Sequence, residues 1–206
     1  ARKIKNNTIK ILNFNKPFYS QNKPQFLIGL ATSIPKNGFE EILKMSTEIG
    51  IDIIQPLFTD RQMKKLTNLS AKESRWDLLI NESVEQCERL WKPQLLESAK
   101  LSEWIPSVID KDFISISVTR NNNCTSLKDW LNKIEINLNK KNTIFWNVVG
   151  PEGGWSNNEL NSFIEYKIPF VKLSESILRT STAAINSSVI LNQWRNENTK
   201  FANFIK

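Results

Sequence analysis

The segment Gly150-Pro151-Glu152-Gly153-Gly154-Trp155-Ser156 decides how this chain is read. The apolar run Ile144 to Val149 leads into it. The capping pair Ser156-x-x-Glu159 leads out of it, with Leu160, Phe163 and Ile164 at helical spacing. That order predicts a strand, a glycine-rich turn and a helix. Glycines at such a turn admit positive φ or let a ligand approach the backbone. Open α/β sheets bind ligands at the carboxyl ends of their strands. A plain strand-to-helix connection satisfies the same letters. The turn matches neither the GxxxxGK[ST] nor the GxGxxG phosphate pattern, and it has no lysine for a terminal phosphate. A nucleoside triphosphate is therefore disfavoured.

Outward from the turn, strands alternate with helices. Phe26 to Ala31 reads as a buried strand, and a helix from Pro35 carries Phe39, Ile42, Leu43 and Ile49 before Gly50 ends it. Ile51 to Leu57 is the next strand. Ser70-x-x-Glu73 reads as a second capping box, opening a helix with Trp76, Leu79, Ile80, Val84, Cys87, Leu90 and Trp91 on one stripe, stopped by Pro93. A helix over Leu101 to Val108, a strand over Phe113 to Val118 and an amphipathic helix from Leu127 to Leu138 follow. Beyond the turn lie a strand at Pro169 to Leu173 and a final helix from Thr180 to Asn198. The alternation argues for an α/β fold with a mostly parallel sheet. If the strands before 119–125, 150–156 and 174–182 are parallel neighbours, those loops form one crevice.

Composition narrows the chemistry. The 206 residues include no histidine, which removes histidine-based triads, histidine-ligated zinc and a histidine general base. Cys87 and Cys124 stand alone and read as reduced core thiols of a cytosolic protein. No apolar run approaches the roughly 18 residues of a membrane helix, and no metal-ligand spacing is present. The formal charge is +7 and uneven. Residues 1 to 39 lack Asp and Glu but carry Arg2, Lys3, Lys5, Lys10, Lys16, Lys23 and Lys36. Arg61, Lys64, Lys65, Lys72 and Arg75 form a second cluster. Such surfaces favour a polyanionic partner, most simply nucleic acid, or are simply solvated faces. Residues 1 to 24 hold one clear strand, Thr8 to Leu12, and a proline-bearing linker; they read as the tail of a basic β-rich domain.

Two side-chain groups stand out. Arg179 precedes a helix start, where the macrodipole prefers negative charge, so a role in gripping an anion competes with an ordinary surface arginine. Glu85, Gln86 and Arg89 lie on the long helix, where Glu85 and Arg89 form an i, i+4 pair or a polar cluster facing substrate. The small residues Ala183, Ala184, Ser187 and Ser188 give the last helix a face suited to close packing.

Four blocks together resemble the ribosomal RNA small subunit methyltransferase E family of the SPOUT superfamily. They are Ser46 to Ile51 with Pro56, Leu57 and Arg61; Trp76 with Glu85, Gln86, Arg89 and Pro93; Gly150 to Ser156 with Glu159; and Leu173 with Ile177, Leu178, Arg179, Thr180, Thr182 and Ala183. They occur in the family's order across about residues 26 to 194. Ser174, Ser176 and Ser181 stand where the family carries glycine, arginine and glutamate.

The resemblance implies a SPOUT-type domain over residues 25–206 with a C-terminal trefoil knot, an exception to the rule against threaded chains. Residues 1–24 would then be the tail of a PUA-like β-barrel and its linker. The implied activity is transfer of a methyl group from S-adenosylmethionine to N3 of a uridine in small-subunit (16S) ribosomal RNA, by a cytoplasmic homodimer whose interface includes Ile185, Val189 and Trp194. The cofactor residues so implied are Val118, Gly150, Pro151, Glu152, Gly153, Gly154, Leu173, Ser174, Ile177, Leu178, Thr180 and Thr182. Arg179 would stabilise the developing uracil anion, with Glu152 or Glu85 as base or orienting group. Arg2, Lys3, Lys5, Lys36, Arg61, Lys64, Lys65, Arg75 and Arg89 would meet RNA. Alternatives are an RNA-binding or ribosome-assembly protein of the same fold without catalysis, and a SPOUT enzyme acting on transfer RNA.

Overall fold

The computed structural model describes residues 2–4, 8–10, 24, 26–62, 69–119, 124–135 and 143–198, the first two segments as backbone only. Strands β1 (Arg2–Ile4) and β2 (Thr8–Lys10) pair antiparallel, with Arg2 opposite Lys10. The lone strand expected at Thr8 to Leu12 thus has a partner.

The main unit runs β3 (Leu27–Ser33), α1 (Phe39–Ile49), β4 (Ile53–Phe58), α2 (Leu69–Gln86), β5 (Gln94–Leu95), β6 (Ala99–Lys100), α3 (Leu101–Val108) and β7 (Phe113–Ser117). It continues with β8 (Thr125–Ser126), α4 (Leu127–Asn132), β9 (Ile144–Val149), α5 (Asn157–Glu165), β10 (Phe170–Lys172) and α6 (Thr180–Asn198). The sheet order is β5-β4-β3-β9-β7-β10-β8, with β6 also on β4. Every ladder in it is parallel.

Helices cover both faces, so the central strands are buried and mainly apolar, with Thr32, Ser33, Gln55, Ser115 and Asn147 as buried polar exceptions. In β9, Phe145 turns to one face, packing with Phe26 and Trp194, while Trp146 turns to the other, packing edge-on against Trp104. Gly29 lies opposite Trp146 in the ladder, and a Cβ there would sit 2.3 Å from the indole. Its missing side chain is what admits the ring. Ser188 Oγ lies 3.0 Å from Ser46 Oγ, and Ala184, Ser187 and Ser188 are buried, so the small-residue face of α6 packs tightly on α1 as expected.

The amino-terminal edge of the sheet is tied by charge. Arg195 of α6 donates to the Asp52 carboxylate, and both side chains are 4% exposed. Asp52 also accepts from the Ile28 amide at 3.0 Å. Arg89 donates to the carbonyls of Thr47 and Ile51 at 2.7 and 2.9 Å, with its other nitrogen 3.6 Å from Asp52. Burial pushes both guanidiniums below their usual range, and the Asp52 charge opposes that shift.

Four expectations change. Ser70 lies inside α2, and Glu73 accepts from the amide and hydroxyl of Ser98, so the pair caps no helix start. The same helix stops at Gln86 and not at Pro93, because Glu88 turns left-handed at φ 55° and leaves Leu90 46% exposed. The short strands β5, β6 and β8 carry no hydrophobic period of their own and were not anticipated. The helix expected from Leu127 to Leu138 stops at Asn132, where Lys133 caps it and Ile134 has left the helix; positions 136–138 lie outside the described residues.

Candidate functional site

The order β9-β7-β10 makes the three loop-bearing strands parallel neighbours, as the crevice requires. Their carboxyl ends deliver the loops to one edge. The Val118 amide donates to the Val171 carbonyl at 3.0 Å. Trp155 Nε1 donates to the Ser117 carbonyl at 2.9 Å. Thr180 Oγ1 donates to the Gly150 carbonyl at 3.1 Å, and Asn186 Nδ2 to the Leu173 carbonyl at 2.9 Å.

The turn itself is closed by a bond from the Gly154 amide to the Pro151 carbonyl at 2.9 Å, with Gly154 at φ 69°. A Cβ on Gly150 would lie 2.8 Å from the buried Trp155 ring, so this glycine is fixed by close approach. The expected capping box of α5 is complete. Ser156 Oγ accepts from the Glu159 amide, and Glu159 Oε2 accepts from the Ser156 amide at 2.7 Å. The other Glu159 oxygen accepts from the Asp60 amide at 3.0 Å, and Ser156 Oγ donates to Asp60 Oδ2 at 2.5 Å. The loop after β4 is thereby locked against the turn. No local pattern announces Asp60, because its partners are distant in sequence.

Two expected RNA-facing cations arrive at the same place. Arg61 Nη1 donates to the Gly153 carbonyl at 3.2 Å, and its Cβ would lie 3.2 Å from a Cβ on Gly153. The Lys36 amide donates to Glu152 Oε1 at 3.2 Å, placing the β3–α1 loop on the turn. Lys36, Arg61 and Glu152 are exposed. Arg179 is also exposed, follows the third loop and forms no ion pair among the described residues. Its carbonyl accepts from the Ala183 amide at 2.8 Å, opening α6.

The third loop offers a cradle. Ser174 Oγ accepts from the Ser176 amide, so this side chain serves the loop's own shape. Among the described residues, the backbone amides of Ile177 and Leu178 have no hydrogen-bond partner. Ile177 is 62% exposed, a large apolar side chain left in water. Unpartnered backbone donors on a loop that exposes the apolar Ile177 suit a flat heteroaromatic ligand with hydrogen-bonding edges. Thr180 is buried on Gly150, while Thr182 is exposed two residues further along α6.

Other expected site residues fall elsewhere. Glu85 and Arg89 are at the end of α2 next to Thr47 and Ile51, which precede β4, so they sit at the amino-terminal edge of the sheet. The turn follows β9 at the opposite edge. Glu85 is therefore not brought to Gly150 within the chain, and the Arg89 guanidinium is occupied by carbonyls and Asp52 instead of facing solvent for RNA. Arg75 pairs with Glu40 at 2.7 Å on the surface. Trp194 is 1% exposed against Phe26 and Phe145, so it offers nothing to a partner subunit. Cys87 and Cys124 are free and only half-buried, and burial pushes the Cys124 thiol up. Lys5, Lys64 and Lys65 lie outside the described residues, and Arg2 and Lys3 are described as backbone only. No described helix is long and apolar enough to cross a membrane.

Comparison with known proteins agrees with this geometry. The RNA methyltransferase domain family matches residues 21–192. A ribosomal RNA small subunit methyltransferase E of Synechocystis is 32% identical over 164 residues, which is 79% of this chain and 52% of the relative. A protein of the same name from Buchnera aphidicola (subsp. Schizaphis graminum) is 28% identical over 186 residues, 88% of this chain and 71% of that one. The chain thus spans about half of the first relative and about seven-tenths of the second. The solved Neisseria gonorrhoeae ribosomal RNA small subunit methyltransferase E, bound to S-adenosyl methionine, superposes with TM-score 0.69 at 25% identity, covering 84% of this chain and 68% of the other. A Legionella pneumophila protein solved with the same cofactor gives TM-score 0.72 at 25% identity, over 83% and 67%. The chain belongs to the RNA methyltransferase domain family and, within it, to the ribosomal RNA small subunit methyltransferase E group.

Proposed function

We propose that this protein transfers a methyl group from S-adenosylmethionine to N3 of a uridine in small-subunit ribosomal RNA. The observation that carries the reading is the meeting, at one sheet edge, of the Gly150–Gly154 turn, the open backbone of Ile177–Leu178 and the unpaired Arg179. Two relatives hold the cofactor, and the residues here fit it. Leu173, Ile177 and Leu178 would enclose the adenine, and the turn would hold the ribose. When bound, the cofactor supplies an activated methyl group, so the protein's task is placement.

Arg179 would hold the uracil by O2 or O4 and stabilise the anion left when N3 loses its proton. Glu152, steadied by the Lys36 amide, is the remaining orienting carboxylate or base, now that Glu85 lies at the other edge. Lys36 and Arg61 would take RNA phosphates at the rim. After β10 the chain returns across β9, where Thr180 meets Gly150. We read this return as the threaded segment of a trefoil knot. A homodimer, a PUA-like barrel containing β1 and β2, and a cytoplasmic location belong to the same reading.

The test is methyl transfer from labelled S-adenosylmethionine to transcribed small-subunit ribosomal RNA, with the product nucleoside identified by mass spectrometry. Label in 3-methyluridine is the expected result. Label in another nucleoside refutes the N3 assignment. Cofactor binding with no transfer to the RNA favours the non-catalytic RNA-binding reading, for which Ser181 in the place of the family's glutamate is the sequence signal.

A further inference from the structure

A cavity of about 420 Å³ lies beside the glycine turn, on the far side of Asp60. It falls within the size range of small-molecule sites. Its apolar walls are Phe58 at the end of β4, Leu101 and Ile105 of α3, and Phe163 of α5. Its polar lining includes Thr59, Asp60 and Asn158. Cofactor placement at Leu173 to Leu178 uses none of these residues.

The polar groups have unused capacity. Thr59 Oγ1 is buried without a hydrogen-bond partner, an arrangement that native structures seldom keep without a use for it. Asp60 accepts from Ser156 through Oδ2 alone. The exposed Asn158 side chain has no hydrogen-bond partner among the described residues, and it offers both a donor and an acceptor. An accessible aromatic ring, here Phe58, with a hydrogen-bonding rim is how proteins hold unpaired RNA bases.

Position points the same way. Asp60 is flanked by Arg61, whose guanidinium lies on the Gly153 carbonyl, and Lys36 approaches the turn through Glu152. A strand whose phosphates follow these cations runs past the mouth of the cavity. Asp60, Glu159 and Lys100 line the cavity, and the Lys100 ammonium is paired with Glu103 at 2.9 Å, so the lining favours an uncharged ring with donor groups over a phosphate.

We propose that this cavity receives a second, unpaired nucleobase of the RNA substrate, distinct from the base that is methylated. The inference rests on the RNA methyltransferase reading above. The base lies on the partly exposed Phe58 over the apolar floor of Leu101 and Ile105, with Asp60 and Asn158 reading its edge. This makes the cavity a specificity pocket that selects the sequence beside the target.

The experiment compares wild type with Ser162→Trp, which places an indole in the cavity from α5, and Asn158→Ala, which alters only the rim. Each is assayed for S-adenosylmethionine affinity by calorimetry and for methyl transfer to transcribed small-subunit ribosomal RNA. Ultraviolet cross-linking of that RNA, followed by peptide mapping, supplies an independent readout. The expected result is a KM for RNA raised at least tenfold in Ser162→Trp and several-fold in Asn158→Ala, with cofactor affinity unchanged. Wild type should cross-link through peptides containing Phe58, and Ser162→Trp should not. If wild type methylates the RNA but neither variant changes KM and no cross-link maps there, the pocket is overturned and the enzyme reading stands. If wild type transfers no methyl group to any RNA, both fall. Should Ser162→Trp not fold, Ser102→Trp fills the cavity from α3 and is judged by the same outcomes.

Discussion

Thr180 Oγ1 donates to the carbonyl oxygen of Gly150, joining the first residue of α6 to the exit of β9. One hydrogen bond therefore sets the spacing between the glycine turn and the loop that ends in Arg179. Thr180→Val keeps the shape and removes the donor. It is expected to cost about 1 kcal/mol of stability and to weaken S-adenosylmethionine binding about fivefold. Calorimetry and thermal unfolding check this; unchanged cofactor affinity would mean the bond serves the fold alone.

Gly150 and Gly154 are constrained for different reasons, so their alanine variants should differ. At Gly150 the new Cβ meets the Trp155 ring at 2.8 Å. Relief requires Trp155 to shift and strains its bond to Ser117, at about 1–3 kcal/mol. At Gly154 nothing lies within 4 Å, and only the left-handed backbone at φ 69° resists, at about 1 kcal/mol. Gly150→Ala should be the less stable of the two in urea unfolding. It alone should change the Trp155 environment in near-ultraviolet circular dichroism.

Arg179→Ala should lower kcat for RNA methylation about 100-fold or more. Cofactor affinity should stay within about threefold, because backbone groups carry that site. Parallel loss of both would place Arg179 on the cofactor.

Asp52→Asn leaves Arg89 and Arg195 buried without their counter-charge. The expected loss is about 3–5 kcal/mol, a large share of a domain's stability. It should appear in the urea midpoint, with cofactor affinity of the folded protein unchanged, since Asp52 lies at the other edge of the sheet.

Arg75 holds the Glu40 carboxyl below its usual range by hydrogen bonding and charge. A depressed carboxylate stabilises above its unfolded pKa and loses that contribution as pH falls through the folded value. Glu40→Gln should thus lower the melting temperature slightly near neutrality and converge on wild type in acid. Because both side chains are exposed, the effect should be small and should fade in high salt.

The strand-turn-helix at Gly150 was legible because each signal in it is local. The apolar run, the glycines and the Ser156–Glu159 box lie within a few residues of one another, and the structure keeps the box in both halves. The bounds of α3, β9 and α6 were legible for the same reason. Ser70–Glu73 has the same letters as a capping box, yet Glu73 reaches across to Ser98, a contact no local spacing encodes. Glu85 and Arg89 were drawn to the site by their company in a family block. Their place at the opposite edge follows from α2 running antiparallel to β4, which only the assembled sheet reveals. Lys36 and Arg61 were recognised as cations, but their seats on Glu152 and Gly153 depend on the loops after β3 and β4 standing beside the exit of β9.

That β9 lies between β3 and β7 has a consequence for how the chain is made. Synthesis delivers β3 and β7 before the strand that joins them. Until residues 144–149 emerge, each exposes an unsatisfied inner edge, a liability for aggregation. The nascent chain must keep that slot open, and the edge that carries the glycine turn comes into being only when its middle is inserted. Protection of the β3 and β7 amides from hydrogen exchange should therefore arise together, late, and only in nascent chains long enough to include β9.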